Sequence, residues 1–466
     1  MSRLVNATRS YNSVTANGAV THSTSLNSCV DLFFLAGASR NMQPKDIVTA
    51  FERAFAQDSL VAVKILFWAR DARGGAGERR FFQIVMSHIG TNYPEVFDQL
   101  MILVPEFGYW KDVFVIEKPN DNNLNWLKTT LEESENAGLL AKWFPRKGPW
   151  FVAMHKYMKV TPKEFRQYLV KKTVVVETLM CRREWGGINY AHVPSIAMNR
   201  YRTAFFKHDE ARMKAYIDAV HSGEAKINAS VLFPHQLYQA VKSGQNASAI
   251  EAQWNNLPNY MEGSTERILP MCDVSGSMND NGGLPMDVSV ALGIYISERN
   301  EGIFKDAFLT FSSNPEMQYL KGSLTQRMRQ LSSAAWGMTT NLQASFDLIL
   351  NSAIRENIPS EEMPTKLLII SDMEFNTATR DNRSTNLDVI RAKYNQSGYV
   401  MPEIIFWNVN GRLGNSPAQV QDQGVGLVSG FSPSILKSIL KGKVYGPEQL
   451  MLDTVMTDRY ARVKFD

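Results

Sequence analysis

The sequence predicts two architectures in series, an all-α, HEAT-like helical-repeat domain and then a mostly parallel, doubly wound α/β sheet. From Asn27 to about Trp254, apolar residues recur at i, i+3 and i+4 with breaks at Gly, Pro and Asn. From Arg267 onward, short apolar runs of strand length alternate with helical patterns, as βαβ units do. Two of these runs end in aspartate, Asp273 and Asp372, and open α/β sheets place their ligands at strand C-terminal ends. The expected boundaries are a flexible arm at 1–25, a helical domain at 26–255, and a sheet domain at 265–466 after a linker.

Each element follows from local chemistry. Residues 1–25 are rich in Ser, Thr, Asn and Gly without periodic apolar content, which predicts a mobile terminus. Val30, Leu32, Phe33, Phe34 and Leu35 form a first helix, and Pro44-Lys45-Asp46 opens the next with Ile47, Phe51 and Phe55 on one face. The recurring helix pairs fit a divergent solenoid without an exact repeat in 26–250. Later strands are expected at Ala307–Phe311, Lys366–Asp372, Glu403–Val409 and Gly426–Gly430, with helices at Asp287–Arg299, Leu342–Ile354 and Pro433–Leu440.

A chain of 466 residues with 44% hydrophobic and 21% charged content has room for two or three full cores. The three cysteines, Cys29, Cys181 and Cys272, lie far apart without a Cys-x-x-Cys, which points to a reducing cytosol and away from structural zinc. No secretory pattern and no run approaching the roughly 20 apolar residues of a membrane span is present, so a cytoplasmic protein without membrane association is expected. Charge is segregated: residues 142–214 hold 16 Lys+Arg against 5 Asp+Glu, a local +11. Such an excess either attracts a phosphate backbone or forms a solvated basic face. The cations singled out for RNA are Lys142, Arg146, Lys147, Lys171, Lys172, Arg182, Arg183, Arg202 and Lys207, interleaved with Trp143, Phe144, Trp185, Tyr201 and Phe205. Cations alternating with aromatics suit single strands, whose bases stack while their phosphates pair. Buried aromatics between basic helix faces give the same letters.

Two further stretches carry chemistry. Asp71-Ala72-Arg73-Gly74-Gly75-Ala76-Gly77-Glu78 joins two helices and is flanked by arginines. Its backbone N–H groups can cradle a phosphate or simply end one helix and start another, and no strand precedes it and no Gly-Lys-Ser/Thr follows, so it is no P-loop. In Asp273-Val274-Ser275-Gly276-Ser277, a carboxylate and two hydroxyls stand at alternate positions of a strand-to-helix turn. Hard oxygens so placed favour Mg²⁺ or another divalent cation over a soft metal.

Asp273, Ser275 and Ser277, then Thr340, then Asp372 resemble, in order and spacing, the five-residue metal-ion-dependent adhesion site of von Willebrand factor type A (vWA) domains. Thr339 competes for the threonine position; Thr340 is taken because it directly precedes Asn341 and a helix. The Arg70–Arg79 run, Glu106-Phe107-Gly108-Tyr109-Trp110-Lys111-Asp112, Lys142-Trp143-x-Pro145 and the block from Glu177 to Asp209 are similar to a family known only as a domain of unknown function, which joins a helical region to a vWA domain. The two-part plan also resembles, more distantly, the TROVE-vWA proteins of the Ro autoantigen group. That resemblance implies a horseshoe or toroid of helical repeats binding structured or single-stranded-ended RNA. It implies no individual contact residue.

The expected function is therefore a non-catalytic, ribonucleoprotein-like RNA-binding protein with a cation site for a ligand's acidic or phosphate oxygen. The alternative is an assembly scaffold that grips an acidic residue of a protein partner through the metal. No Ser-His-Asp set or Cys-His pair is apparent among the seven histidines, so an enzyme is not expected.

Overall fold

The computed structural model describes residues 11–135, 137–193, 195–221, 232–244, 247–311, 315–332, 341–376 and 385–465. The first described residues form an antiparallel hairpin, β1 (Ser13–Val14) and β2 (Val20–Thr21), so that part of the expected 1–25 arm is paired structure. Polar letters misled here because they are consumed in pairing. Thr15 Oγ1 donates to Phe375 O at 2.7 Å, Asn17 Nδ2 to Glu374 O at 2.6 Å, and Thr21 Oγ1 to Ser416 O at 2.7 Å. Thr15, Ala19, Val20, Thr21 and His22 are buried as a result.

Six strands then form one sheet: β3 (Ile268–Asp273), β4 (Ala307–Phe311), β5 (Glu316–Tyr319), β6 (Lys366–Ser371), β7 (Glu403–Asn408) and β8 (Val425–Ser429). Their spatial order is β5-β4-β3-β6-β7-β8, parallel throughout except for the antiparallel β4–β5 pair. Every residue of β3, β6 and β8 is buried, as strands covered on both faces require, and this is why they read as unbroken apolar runs. The strand missed in the sequence, β5, is short, polar and at the edge. The direction of the chain's progress reverses between β3 and β6, which opens a crevice at their C-terminal ends.

The chain divides into two compact units, and the division differs from the sequence-based boundary. One unit takes the chain up to Phe82 together with Phe233–Val463; the other is Gln83–Leu232 with the last three residues. The helices Ser28–Ala36, Pro44–Gln57 and Ser59–Arg70 thus belong with the sheet rather than with a 26–255 helical domain. The physical reason is the first of them, whose residues are buried nearly all round its axis. Its last carbonyls are taken by the sheet's edge: Ser429 Oγ donates to Phe33 O at 2.6 Å and Asn408 Nδ2 to Phe34 O at 3.2 Å, while Gly37 N–H donates to Ser429 Oγ at 2.9 Å. Each such bond contributes about 1 kcal/mol. Gly37 must lack a side chain, because a Cβ there would lie 2.6 Å from Ser429 O.

The second unit is helical throughout its described residues. Its core includes edge-on aromatic contacts, Phe114 against Phe144 and Trp150 and Phe144 against Phe165, and Trp150 Nε1 donates to Ile116 O at 2.7 Å. A smaller cluster of Ile188, Tyr190, Val193, Phe205 and Met213 closes its C-terminal part.

Candidate metal centre

Asp273 is the last residue of β3, and Asp372 directly follows β6, the neighbouring strand. The pairing therefore delivers both carboxylates to the crevice where the sheet reverses. Asp273 is fully buried, and each of its oxygens has a donor: Ser275 N–H at 2.9 Å to Oδ1, and Ser371 Oγ at 2.5 Å to Oδ2. The first bond is the Asx-type turn that an Asp-x-Ser sequence favours, and it folds the chain so that Ser275 Oγ and Ser277 Oγ lie 3.1 Å apart. Asp372 accepts Glu374 N–H at 3.2 Å on Oδ1, whereas its Oδ2 is buried and accepts no hydrogen bond. Between Asp372 and Glu374, Met373 adopts φ +65°, a left-handed conformation costly for a residue with a side chain. Asn415 Nδ2, donating to Met373 O at 2.9 Å, and Ser371 Oγ, accepting Met373 N–H at 3.0 Å, hold it there.

Both carboxylates are pushed upward by their surroundings. Burial first, and then the charge of Asp372, push Asp273 up to about 7. Burial likewise raises Asp372, against the opposing pull of the Glu374 N–H, Arg412 and Ser277. Two buried carboxylates this close repel, and one of their oxygens, Asp372 Oδ2, has no hydrogen-bond donor, an arrangement that a cation could relieve. Among the described residues no group of three or more His, Cys, Asp and Glu is poised to hold a metal. A cation here would rest on two carboxylates, hydroxyls and water, a set that Mg²⁺ accepts and zinc does not favour. Thr340 and its neighbour Thr339 lie outside the described residues.

The sequence reading missed four contributors. Ser371 supplies the hydroxyl that orients Asp273, and Asp280, Glu374 and Arg412 form a charged rim: Arg412 Nη2 stands 3.0 Å from Asp280 Oδ2 and 3.6 Å from Asp372 Oδ2, and its Nε is 3.8 Å from Glu374 Oε1. Glu374 also accepts the Ala16 N–H of the hairpin. Ser371 was discoverable, being the residue before the strand-ending Asp. Arg412 has no local signal beyond its position in the segment after β7, at the same edge of the sheet.

The glycine-rich connection is structural. Three of its N–H groups bond the turn and the end of the preceding helix: Gly75 N–H donates to Asp71 O at 3.0 Å, Ala76 N–H to Trp68 O at 3.1 Å and Glu78 N–H to Ala69 O at 2.6 Å. A Cβ on Gly75 would stand 1.9 Å from Trp68 O. Asp71, fully buried, accepts from Arg459 and from Tyr460 Oη, which pins the turn to the chain's end.

The nine cations singled out for RNA all fall in the second unit. Lys142 pairs with Glu177 at 2.8 Å, and Arg146 Nη1 donates to Phe144 O at 3.1 Å, so both serve internal contacts. Lys172 is half-buried, with its Nζ 5.7 Å from the Tyr168 ring centroid. Lys147, Lys171, Arg182, Arg183, Arg202 and Lys207 are exposed. Trp185 stacks on His208 with ring centroids 4.7 Å apart, and Trp143 has Lys111 Nζ 4.5 Å from its ring centroid. No described helix is long and apolar enough to cross a membrane.

Comparison with known proteins adds the family. The family described as "Domain of unknown function (DUF2828)" matches residues 15–146 and 151–265, more than half of the chain. The chain belongs to that family. Residues 267–463, which hold the sheet and the Asp273–Asp372 pair, match a second one, "Domain of unknown function (DUF7788)". A relative in Acanthamoeba polyphaga mimivirus, "Uncharacterized protein L728", is 28% identical over 501 residues, covering 94% of this chain and 86% of its own length. The DUF2828 match thus runs across the boundary at Phe82 and Phe233 that separates the compact units.

Proposed function

We propose that the protein is a non-catalytic binding protein whose sheet carries a Mg²⁺-type site of the vWA kind. An acidic group of a partner would complete the coordination. One observation carries the reading: Asp273 and Asp372 end neighbouring strands at the reversal of the sheet, and Asp372 Oδ2 is buried there without a hydrogen-bond donor. Asp273 and Asp372 would supply charge, Ser275, Ser277 and Thr340 neutral oxygens, and the cation would supply an open position for a carboxylate or phosphate oxygen. The strand order and the antiparallel edge strand also support this reading. Titration calorimetry with Mg²⁺ or Mn²⁺ on wild type and Asp273→Ala tests it; saturable binding lost in the variant is expected. Wild-type protein that binds neither ion at millimolar concentration would refute it.

A second reading, a Ro-like RNA-binding role for the helical unit, is favoured by the +11 of residues 142–214 and by the six exposed cations there. Filter binding of a structured RNA with a single-stranded 3′ tail should then weaken steeply with salt and fail in Lys171→Glu/Arg182→Glu/Arg183→Glu. Absence of binding at low salt would leave the protein-partner reading, with the metal site gripping an acidic side chain.

A further inference from the structure

Arg412 is placed where a cation at the metal centre would have to compete with it. Its guanidinium stands 3.6 Å from the one carboxylate oxygen of the pair that accepts no hydrogen bond, Asp372 Oδ2, and 3.8 Å from Glu374 Oε1. Both separations are longer than hydrogen bonds, so the group offsets charge there without being fastened. Its short contact, 3.0 Å, is to Asp280, whose side chain is 53% exposed. The arginine side chain is itself 36% exposed. Rotation toward Asp280 and solvent therefore leaves the guanidinium with a partner and releases Asp372.

We propose that Arg412 is a built-in competitor for the divalent cation: it neutralises the Asp372 carboxylate in the metal-free protein and swings aside when the ion enters. The proposal rests on the metal reading above and deepens it, by assigning the residue that sets how readily the site loads. A metal ion bonds a carboxylate oxygen at about 2.0–2.2 Å. A guanidinium 3.6 Å from that oxygen would hold its positive charge close to the ion, and the repulsion between them favours its turning aside. The hairpin and Asn415 hold the backbone of the Met373–Glu374 loop independently of this side chain, so removing the arginine's charge leaves the carboxylates in place.

The test is Mn²⁺ titration of the full chain, read by electron paramagnetic resonance of free Mn²⁺, for wild type, Arg412→Gln, Arg412→Lys and Asp273→Ala. A neighbouring charge at this range changes a carboxylate's proton affinity by about 1–3 decades, so Arg412→Gln should bind Mn²⁺ at least about tenfold more tightly than wild type. Arg412→Lys, which keeps the charge, should stay near wild type, and 0.5 M KCl should narrow the gap by screening. Thermal melts of both arginine variants establish that they are folded. Equal or weaker binding by Arg412→Gln overturns the competitor role; if Asp273→Ala abolishes that binding, the metal reading stands. Binding by none of the four proteins overturns both.

Discussion

Replacing Asp71 with Ala should cost the sheet unit about 3 kcal/mol, although the residue lies far in sequence from any proposed ligand. Its carboxylate accepts Arg459 Nη2–H at 2.7 Å, a second, shorter bond from Arg459 Nε–H, Tyr460 Oη–H at 3.1 Å and the Arg73 N–H at 3.0 Å. Removing one member of a buried ion pair costs about 3–5 kcal/mol. Arg459 is 41% exposed, so water recovers part of its solvation and the lower end applies. For a unit of about 310 residues, with roughly 2 cal/mol/K of unfolding entropy per residue, 1 kcal/mol is worth about 1.5 °C, so the melting temperature should fall by roughly 4–5 °C. Calorimetry on wild type, Asp71→Ala, Arg459→Ala and the double variant closes a cycle, with an expected coupling of about 2 kcal/mol. A loss below about 0.5 kcal/mol in Asp71→Ala, or strict additivity, would refute the view that the glycine-rich turn is anchored by this contact. The turn would then be available for a ligand.

Two pH slopes of opposite sign are expected. Asp273 is held at about 7 against 3.8 in the unfolded chain, so between those values the folded state keeps a proton that the unfolded state has lost. Its contribution is greatest at the acid end and declines toward pH 7, a slope that Asp273→Asn should reduce and that Asp372, also raised, should keep in part. His235 runs the other way: burial, and then Arg40, push it down to about 3 from 6.5, so its contribution is present above 6.5 and is lost as pH falls toward 3. His235→Phe should remove that loss, with urea denaturation between pH 4.5 and 7.5 as the measure for both. Residues 265–466 expressed alone should aggregate or fail to show a cooperative melt, whereas residues 11–82 joined to 233–463 through a short Gly-Ser linker should melt cooperatively. A sharp transition in the first fragment would show that the sheet does not need the N-terminal helices.

The meeting of Asp273 and Asp372 at the sheet's C-terminal side was legible because each piece is local: an Asp-x-Ser-x-Ser turn and an aspartate after a buried strand each announce themselves within a few residues. The sheet was legible for a similar reason, since strands buried on both faces are continuous apolar runs. What escaped depends on distant partners. Nothing in Ser-Val-Thr-Ala-Asn says that Thr15 and Asn17 will bond residues about 360 positions away. Arg412 is one arginine among many until the loop after β6 is beside it. The first helix did carry a signal, because Cys29-Val30-Asp31-Leu32-Phe33-Phe34-Leu35-Ala36 is apolar all round and needs cover on every side. A helix so apolar belongs between layers, not on the outside of a repeat.

The attachment of that helix to β8 also dictates when the protein can finish folding. Gly37 and Ser429 are 392 residues apart, and β8 is the last strand of the sheet to be synthesised. At about 5–20 residues per second, a ribosome needs roughly 20–80 s to travel that distance. Through that interval the face of this apolar helix that packs on β8 must wait for its cover, although Pro44–Gln57, Ser59–Arg70 and all but the last three residues of the helical unit have already been made. Slowed elongation or a lack of chaperones should therefore lower the soluble yield before any change in the mature fold is seen.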